Sequence, residues 1–233
     1  MPETLIRKRR RNGGATLRSA AAALVLAGCA ALPPAQMALP EGLAALQPVD
    51  VVGLGGGRSG EFSVGAQRGR FERGADQARW FDRLETDKAD SRYTLARASG
   101  GSAEVSCKAR QARVVAGVLD VPVRPYGVAC LWRDGAELTL AATRHATLEE
   151  RVGSWRGGAT TLELRSVHRV QGSPLPLEAP IGYLLLAGGR PVGAVELNGS
   201  VPRLWRPDAA SPLHGPVTEA ALALALLWDP ASR

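Results

Sequence analysis

The sequence predicts a mainly β protein of the α+β class: an antiparallel meander, a curved sheet or a barrel, packed around an apolar C-terminal helix. Three observations predict it. Short alternating runs are separated by turn dipeptides over much of the chain, a pattern typical of antiparallel sheet. Residues 220–228 are consecutive apolar residues, mostly Ala and Leu, which favour helix. With 233 residues, 45% of them hydrophobic, the chain is long enough to bury a core.

Glycine-containing dipeptides identify the strands most clearly in the second half of the chain. Asp134-Gly135 and Gly157-Gly158 are typical hairpin turns, and Gly188-Gly189 and Asn198-Gly199 divide the last predicted sheet segment in the same way. Hairpins are therefore predicted over residues 126–143 and 151–170, and a three-stranded meander over residues 181–205. Earlier strands are predicted at residues 62–64, 69–73, 93–96, 103–109 and 118–123.

The C-terminal helix is predicted over residues 217–228, where Asp229-Pro230 ends it. At 1.5 Å per residue this helix is about 18 Å long, too short to span a bilayer. A helix that is apolar on every side needs protein around it. We expect it to plug or line the curved sheet; the alternative is that it lies on one face of an open sheet.

Positive charge is concentrated at the N-terminus. The chain carries a net charge of +7, but residues 1–28 hold six Lys and Arg residues and only Glu3 as an acid, which leaves +2 for the rest. A basic stretch, a spacer and the apolar run 20–27 follow the order of a secretory signal peptide. This distribution argues against nucleic acid as a partner of the folded part.

The end of this leader, Leu26-Ala27-Gly28-Cys29, resembles the lipobox of bacterial lipoproteins. The resemblance implies cleavage before Cys29, a diacylglycerol on its thiol and acylation of its new amine. Two or three acyl chains hold a protein stably on a membrane. Because Ala30 follows the cysteine, the resemblance also implies an outer-membrane anchor facing the periplasm.

The expected organisation is a signal peptide over residues 1–28, a lipidated, Pro-rich tether over residues 29–48, and one β-rich domain over residues 49–233. Pro33, Pro34, Pro40 and Pro48 favour an extended tether, with a helical turn near residues 41–46 as an alternative for part of it. The hairpin followed by an apolar helix also resembles, in topology alone, the tubby-like C-terminal barrels. No lipid head-group residues of that family are identified here, so its phosphoinositide binding is not implied.

Cys107 and Cys130 are the two cysteines that remain after lipidation of Cys29. In an exported protein, two cysteines on probable strands favour a disulfide bond. Two buried thiols are the alternative, and a catalytic cysteine is the least favoured reading because neither has a histidine near it in sequence.

No cofactor or metal site is predicted. Gly55, Gly57 and Gly60 satisfy GxGxxG, but residues 61–74 lack the helical period that a dinucleotide-binding unit requires, so we interpret the motif as a flexible loop. His145, His168 and His214 are too isolated for a zinc motif.

Ser166 and His168 are placed on the inward face of a predicted strand. Alternate residues on a strand lie roughly 6 to 7 Å apart, too far for a Ser to His hydrogen bond. A histidine bonded to a backbone carbonyl is therefore favoured over a catalytic one, and no catalytic residue is predicted.

The many arginines are interpreted as surface residues. The five tryptophans, Trp80, Trp132, Trp155, Trp205 and Trp228, are interpreted as core residues.

The sequence thus favours a membrane-anchored envelope lipoprotein with a non-enzymatic binding or scaffold domain, whose partner is another envelope protein or a lipid. The alternatives are a periplasmic carrier for acyl chains and, third, an exported hydrolase.

Overall fold

The computed structural model describes residues 35–80, 83–116, 119–145 and 148–227. The predicted signal peptide, the lipobox with Cys29, residues 30–34 of the predicted tether, and residues 228–233 with Trp228 lie outside this part of the chain.

Twelve antiparallel strands of the described chain close into a barrel. Each strand pairs with its neighbours in sequence, and β1 completes the circle by pairing Val49 with Leu204 of β12. The predicted mainly β class is confirmed, with the curved sheet closed rather than open. The strands are β1 (Val49–Val52), β2 (Ser59–Val64), β3 (Gln67–Trp80), β4 (Leu84–Ala96), β5 (Ser102–Ala116), β6 (Leu119–Trp132), β7 (Glu137–His145), β8 (Leu148–Gly157), β9 (Thr160–Val167), β10 (Gly182–Ala187), β11 (Arg190–Glu196) and β12 (Arg203–Trp205).

Because the strands alternate in direction, their connections fall at two ends of the barrel. We define the upper end as the end that carries the connections at residues 65–66, 97–101, 133–136, 158–159 and 188–189. The lower end carries the connections at residues 53–58, 168–181 and 197–202, together with the ends of β3 and β5 and the starts of β4 and β6.

Helix α2 (His214–Leu226) fills the barrel. Every residue from Val217 to Leu226 is buried, and all twelve strands contribute side chains to the same buried cluster. The expectation that protein surrounds the apolar helix is confirmed, and the open-sheet alternative is wrong. The helix begins three residues before the predicted start, because His214, Gly215 and Pro216 form its first turn.

The predicted hairpins and the meander are present, but the strands β3 to β6 are much longer than predicted. Residues 118–123 and 126–133 were expected to form separate strands; residues 119–132 instead form the single strand β6. Its register against β5 shifts near Ala112, opposite the segment that holds Pro122 and Pro125. Irregular pairing is what allows prolines within a strand.

Residues 35–48 pack against the outside of the barrel, whereas an extended tether was expected there. Met37 forms an isolated bridge with Val170, and its N–H donates a 2.6 Å hydrogen bond to Glu196 Oε1. The expected helical turn corresponds to α1 (Glu41–Ala44), whose Leu43 is buried. Met37 and Leu43 form a second apolar cluster with Ile181, Ala194 and Trp205. Residues 35–48 lose conformational entropy when they pack on the barrel, and the burial of these apolar side chains offsets that loss.

Candidate functional site

The disulfide predicted between Cys107 and Cys130 is present. The two residues lie directly opposite each other on β5 and β6, with Cα atoms 4.0 Å apart, and both are buried inside the barrel. The bond therefore joins two of the long strands that form a large concave surface.

That concave surface lies on the outside of β2 to β6, near the upper end, and encloses about 1000 Å³. Two rows of directly paired residues cross it, so their side chains share the outer face. We call these residues the outer groove. The first row is Glu61, Arg70, Thr94 and Glu104, and the second is Ser59, Glu72, Arg92, Ser106 and Leu131.

Opposite charges balance one another in the outer groove. Arg70 lies 3.0 Å from Glu61, and Arg133 lies 3.0 Å from Glu104 at the end of the first row. Leu131 is 65% exposed and is the main apolar side chain on this surface. Exposed ion pairs add little to stability, so their charges remain available to a partner.

Rigid packing supports the outer groove from inside. Phe71, Tyr93 and Trp132 point inward from the same strands and are buried. The Tyr93 hydroxyl donates a 3.1 Å hydrogen bond to the carbonyl of Glu219 in α2. Burial raises the pKa of Tyr93 well above its usual value, so this hydroxyl remains a donor.

An ion-pair network closes the upper end beside the helix. Arg97 donates from Nε to Glu219 Oε1 at 2.7 Å and from Nη2 to Asp134 Oδ2 at 2.6 Å. The hydrogen bond to Glu219 is the main cause of a raised pKa at Arg97. The hydrogen bond from Arg97 in turn lowers the pKa of Asp134. Side chains of α2, the β4–β5 connection and the β6–β7 turn are thus joined by directional contacts.

Two arginines of the described chain lie inside the protein, which corrects the interpretation of the arginines as surface residues. Arg151 is 1% exposed: its guanidinium stacks on Tyr126 at 3.8 Å, and it donates to Glu149 at 2.8 Å and to the Tyr183 hydroxyl at 3.1 Å. The positive charge is stabilised by a carboxylate and an aromatic face, which is what buried arginine requires.

The second buried arginine, Arg73, binds the loop with the GxGxxG pattern. It donates to the carbonyls of Leu54 at 2.8 Å and Gly57 at 3.0 Å, and also to that of Gly55. Burial lowers its pKa. Gly55 and Gly57 lie in the loop between β1 and β2, as predicted, whereas Gly60 lies in β2. Its carbonyls point at a cation, whereas a phosphate site would need N–H groups there.

Ser166 and His168 are in direct contact, and the distance argument that separated them is wrong. Nε2 of His168 lies 3.0 Å from Ser166 Oγ, and Nδ1 lies 3.0 Å from the carbonyl of Leu177. The predicted strand ran to residue 170, but β9 ends at Val167, and the chain turns there. The expected bond to a backbone carbonyl is present. With Nδ1–H on Leu177, Nε2 accepts the serine hydroxyl, which also accepts the Arg151 N–H at 2.9 Å.

The remaining histidines do not join this pair. His214 contacts the carbonyl of Pro207 at 2.8 Å, and the side chain of His145 lies outside the described part of the structure. Among the residues that are described, no group of three or more His, Cys, Asp or Glu side chains could hold a metal ion.

The tryptophans divide into two groups. Trp132, Trp155 and Trp205 are buried, as predicted. Trp80 is 58% exposed at the lower end, so its assignment to the core is wrong. It ends β3 on the outward face, where nothing in the described chain covers it. Trp228 lies outside the described residues.

Comparison with known protein families, with curated protein sequences and with solved structures gives no match. Neither helix of the described chain is long and apolar enough to cross a bilayer.

Proposed function

We propose that this protein is a lipid-anchored envelope protein whose barrel is a non-enzymatic binding or scaffold domain, with the outer groove as its binding surface. The observation that carries the proposal is that α2 and inward side chains fill the barrel, whereas a concavity of about 1000 Å³ lies on its outside. A carrier for acyl chains would have to expel α2 from the interior to make room for its ligand.

Two features support the anchored, extracytoplasmic location. The leader ends in Leu-Ala-Gly-Cys at residues 26–29, which resembles a lipobox. The Cys107–Cys130 disulfide fits an oxidising compartment, where such bonds persist. The expected site is the periplasmic face of the outer membrane.

The chemistry of the outer groove favours a protein partner. Arg70, Arg92 and Arg133 are matched by Glu61, Glu72 and Glu104, so a polyanion such as nucleic acid finds no excess of positive charge. A polypeptide with charges of both signs can exchange ion pairs with this surface, and Leu131 offers it an apolar contact.

The anchor is tested by labelling cells with radioactive palmitate. The wild-type protein is expected to incorporate label and the Cys29→Ala variant to incorporate none. Equal labelling of the two proteins would refute the anchor.

The binding surface is tested with a photoreactive amino acid at position 131 in living cells. The matched control is position 152 on β8, where Val152 is also exposed and apolar but lies outside the outer groove. A discrete cross-linked protein is expected from position 131 and not from position 152. Identical products from both positions, or none from position 131, would refute the assignment of the groove.

An exported hydrolase is the second candidate, favoured by the contact between Ser166 Oγ and His168 Nε2. A nucleophile and its base need such a contact. Treatment with a fluorophosphonate probe, with Ser166→Ala as control, tests it: covalent labelling of the wild type alone would establish a reactive serine. An unlabelled wild type would leave the pair with a structural role.

A further inference from the structure

Exposed apolar side chains are concentrated at the lower end of the barrel. Six of the nine large hydrophobic residues that are strongly exposed in the described chain lie there, whereas Val52, Leu131 and Val152 lie elsewhere. Exposed apolar side chains that are grouped in this way mark a contact site. The six are Trp80, Val121, Val123, Leu175, Leu177 and Val201.

The largest part of this surface is a row across four strands. Trp80 of β3 pairs with Leu84 of β4, Leu84 with Val114 of β5, and Val114 with Val121 of β6. Directly paired residues share a face, and Glu85, next to Leu84, is buried inside, so the row faces outward. We call these four residues the apolar row.

A second apolar segment lies in the β9–β10 connection. Leu175 and Leu177 alternate there with Pro174 and Pro176, and Leu175 is 73% exposed. The segment and the apolar row lie on different sides of the barrel but at the same end. A flat surface that touched the whole lower end would cover both.

Basic residues lie one to three rows above the apolar row. Moving up the outer face of β3 to β6, the next rows contain Lys88, Lys108, Arg110 and Arg124, against the acids Asp76 and Asp90. An apolar edge that carries a tryptophan, followed by an excess of positive charge, matches a bilayer interface with anionic head groups.

Ala35 and Gln36, the first residues that the structure describes, are bonded to connections of this same end. The carbonyl of Ala35 accepts a 2.6 Å hydrogen bond from Asn198 Nδ2, and the carbonyl of Gln36 accepts the N–H of Gln171 at 2.7 Å. Asn198 and Gln171 both belong to lower-end connections. Cys29 precedes Ala35 by only six residues, which span about 20 Å at most.

We propose that the barrel stands on the anchoring membrane with its lower end, and that the apolar row and the β9–β10 segment enter the head-group region of the bilayer. This inference rests on the proposed lipid anchor at Cys29. It orients the outer groove sideways, near the end remote from the membrane.

The test uses the full-length acylated protein in vesicles of phosphatidylethanolamine and phosphatidylglycerol that contain a diazirine phospholipid. After irradiation, peptide mapping by mass spectrometry locates lipid adducts. We expect at least ten-fold more adduct on peptides with Trp80, Val121 or Leu175 than on those with Leu131 or Val152. The last two are matched controls because they are exposed apolar side chains away from the lower end.

A variant pair makes the test specific. The double variant Trp80→Asp and Val121→Asp is expected to lose most adducts on these peptides, whereas Val152→Asp keeps them. All three positions are exposed. If a variant fails to fold, the lipid adducts mapped on the wild-type protein still test the proposal.

The outcomes separate the two proposals. Acyl mass on Cys29 with adducts spread evenly, or concentrated at Leu131 or Val152, overturns the orientation alone. Acyl mass on Cys29 with no lipid adduct on the peptides that contain Trp80, Val121 or Leu175 overturns it too. Absence of acyl mass on Cys29 overturns the anchor and the orientation with it.

Discussion

The hydroxyl of Tyr93 on β4 donates a 3.1 Å hydrogen bond to the backbone carbonyl of Glu219 in α2. The side chain of the same Glu219 accepts from Arg97, the residue that follows the end of β4. A helix that is apolar all round has no side that prefers the core. These polar contacts with β4 therefore set the rotation and depth of α2 inside the barrel.

Removal of the Tyr93 hydroxyl is expected to weaken this connection. The Tyr93→Phe variant keeps the buried ring but loses the hydrogen bond, which should lower the free energy of unfolding by about 1 kcal/mol. Urea denaturation measures the change. Thr94→Ala, on the outward face of the same strand, should stay within about 0.5 kcal/mol of the wild type. Equal losses in both variants would contradict a specific role for the hydroxyl.

Gly193 on β11 gives α2 room to approach the barrel wall. A Cβ atom at this position would lie 2.4 Å from Val217 Cγ1 of the helix and 2.9 Å from the carbonyl oxygen of Trp205. Gly193→Ala is expected to destabilise by about 1 to 3 kcal/mol, because the helix or the strand must shift. Thermal unfolding tests this against Gly127→Ala on β6, where the nearest atom would be 3.7 Å away. Similar melting temperatures for the two variants would contradict the prediction, because they would show that β11 and α2 accommodate the added Cβ atom without loss of stability.

Stability should fall in acid partly through Glu85 on β4. Hydrogen bonds from Arg79 and then Arg113, which donates at 2.8 Å, lower the pKa of this carboxyl. A depressed folded pKa stabilises above the unfolded value of about 4.3, and the contribution is lost as the pH falls through the folded pKa. Glu85→Gln should therefore be less stable than the wild type at pH 6, with the difference shrinking toward pH 3.

Denaturation at both pH values measures this difference, and Glu150→Gln at an exposed position of β8 is the control. A deficit in Glu85→Gln that stayed constant with pH would show that the carboxylate charge is not its source.

The disulfide should contribute strongly to stability. Cys107 and Cys130 are 23 residues apart in sequence, and closing a loop of this size stabilises by about 3 kcal/mol in the chain-entropy model. Reduction of the bond should lower the free energy of unfolding of the wild type by about 3 kcal/mol. The double variant Cys107→Ala and Cys130→Ala should be insensitive to reductant. If a thiol assay shows that the bond has been reduced and the free energy of unfolding of the wild type is unchanged, the prediction is contradicted.

The fold class was predictable because its signals are local. Turn glycines such as Gly135 and Gly189 stand between alternating runs, and the apolar segment after residue 219 has no polar side. The lower halves of β3 to β5 were missed because polar or small residues face inward there, among them Asp87, Ala89 and Ser91. Alternation of polarity does not reveal a strand when both of its faces are polar or small.

The outer groove and the Ser166–His168 contact were not predictable for a different reason. The groove depends on the register of five strands, which brings Glu61 and Leu131 onto one surface from distant parts of the sequence. The contact depends on where β9 ends, and a shift of three residues changed the separation from that of strand neighbours to hydrogen-bonding distance. Element boundaries are the least certain part of any sequence-based assignment.

Helix α2 follows all twelve strands in chain order, yet it supplies the centre of their common core. During synthesis from the N-terminus, the wall segments emerge before the piece that they must enclose. An incomplete chain that lacks α2 therefore lacks the centre of the core. The barrel cannot fold cooperatively until this helix has been synthesised.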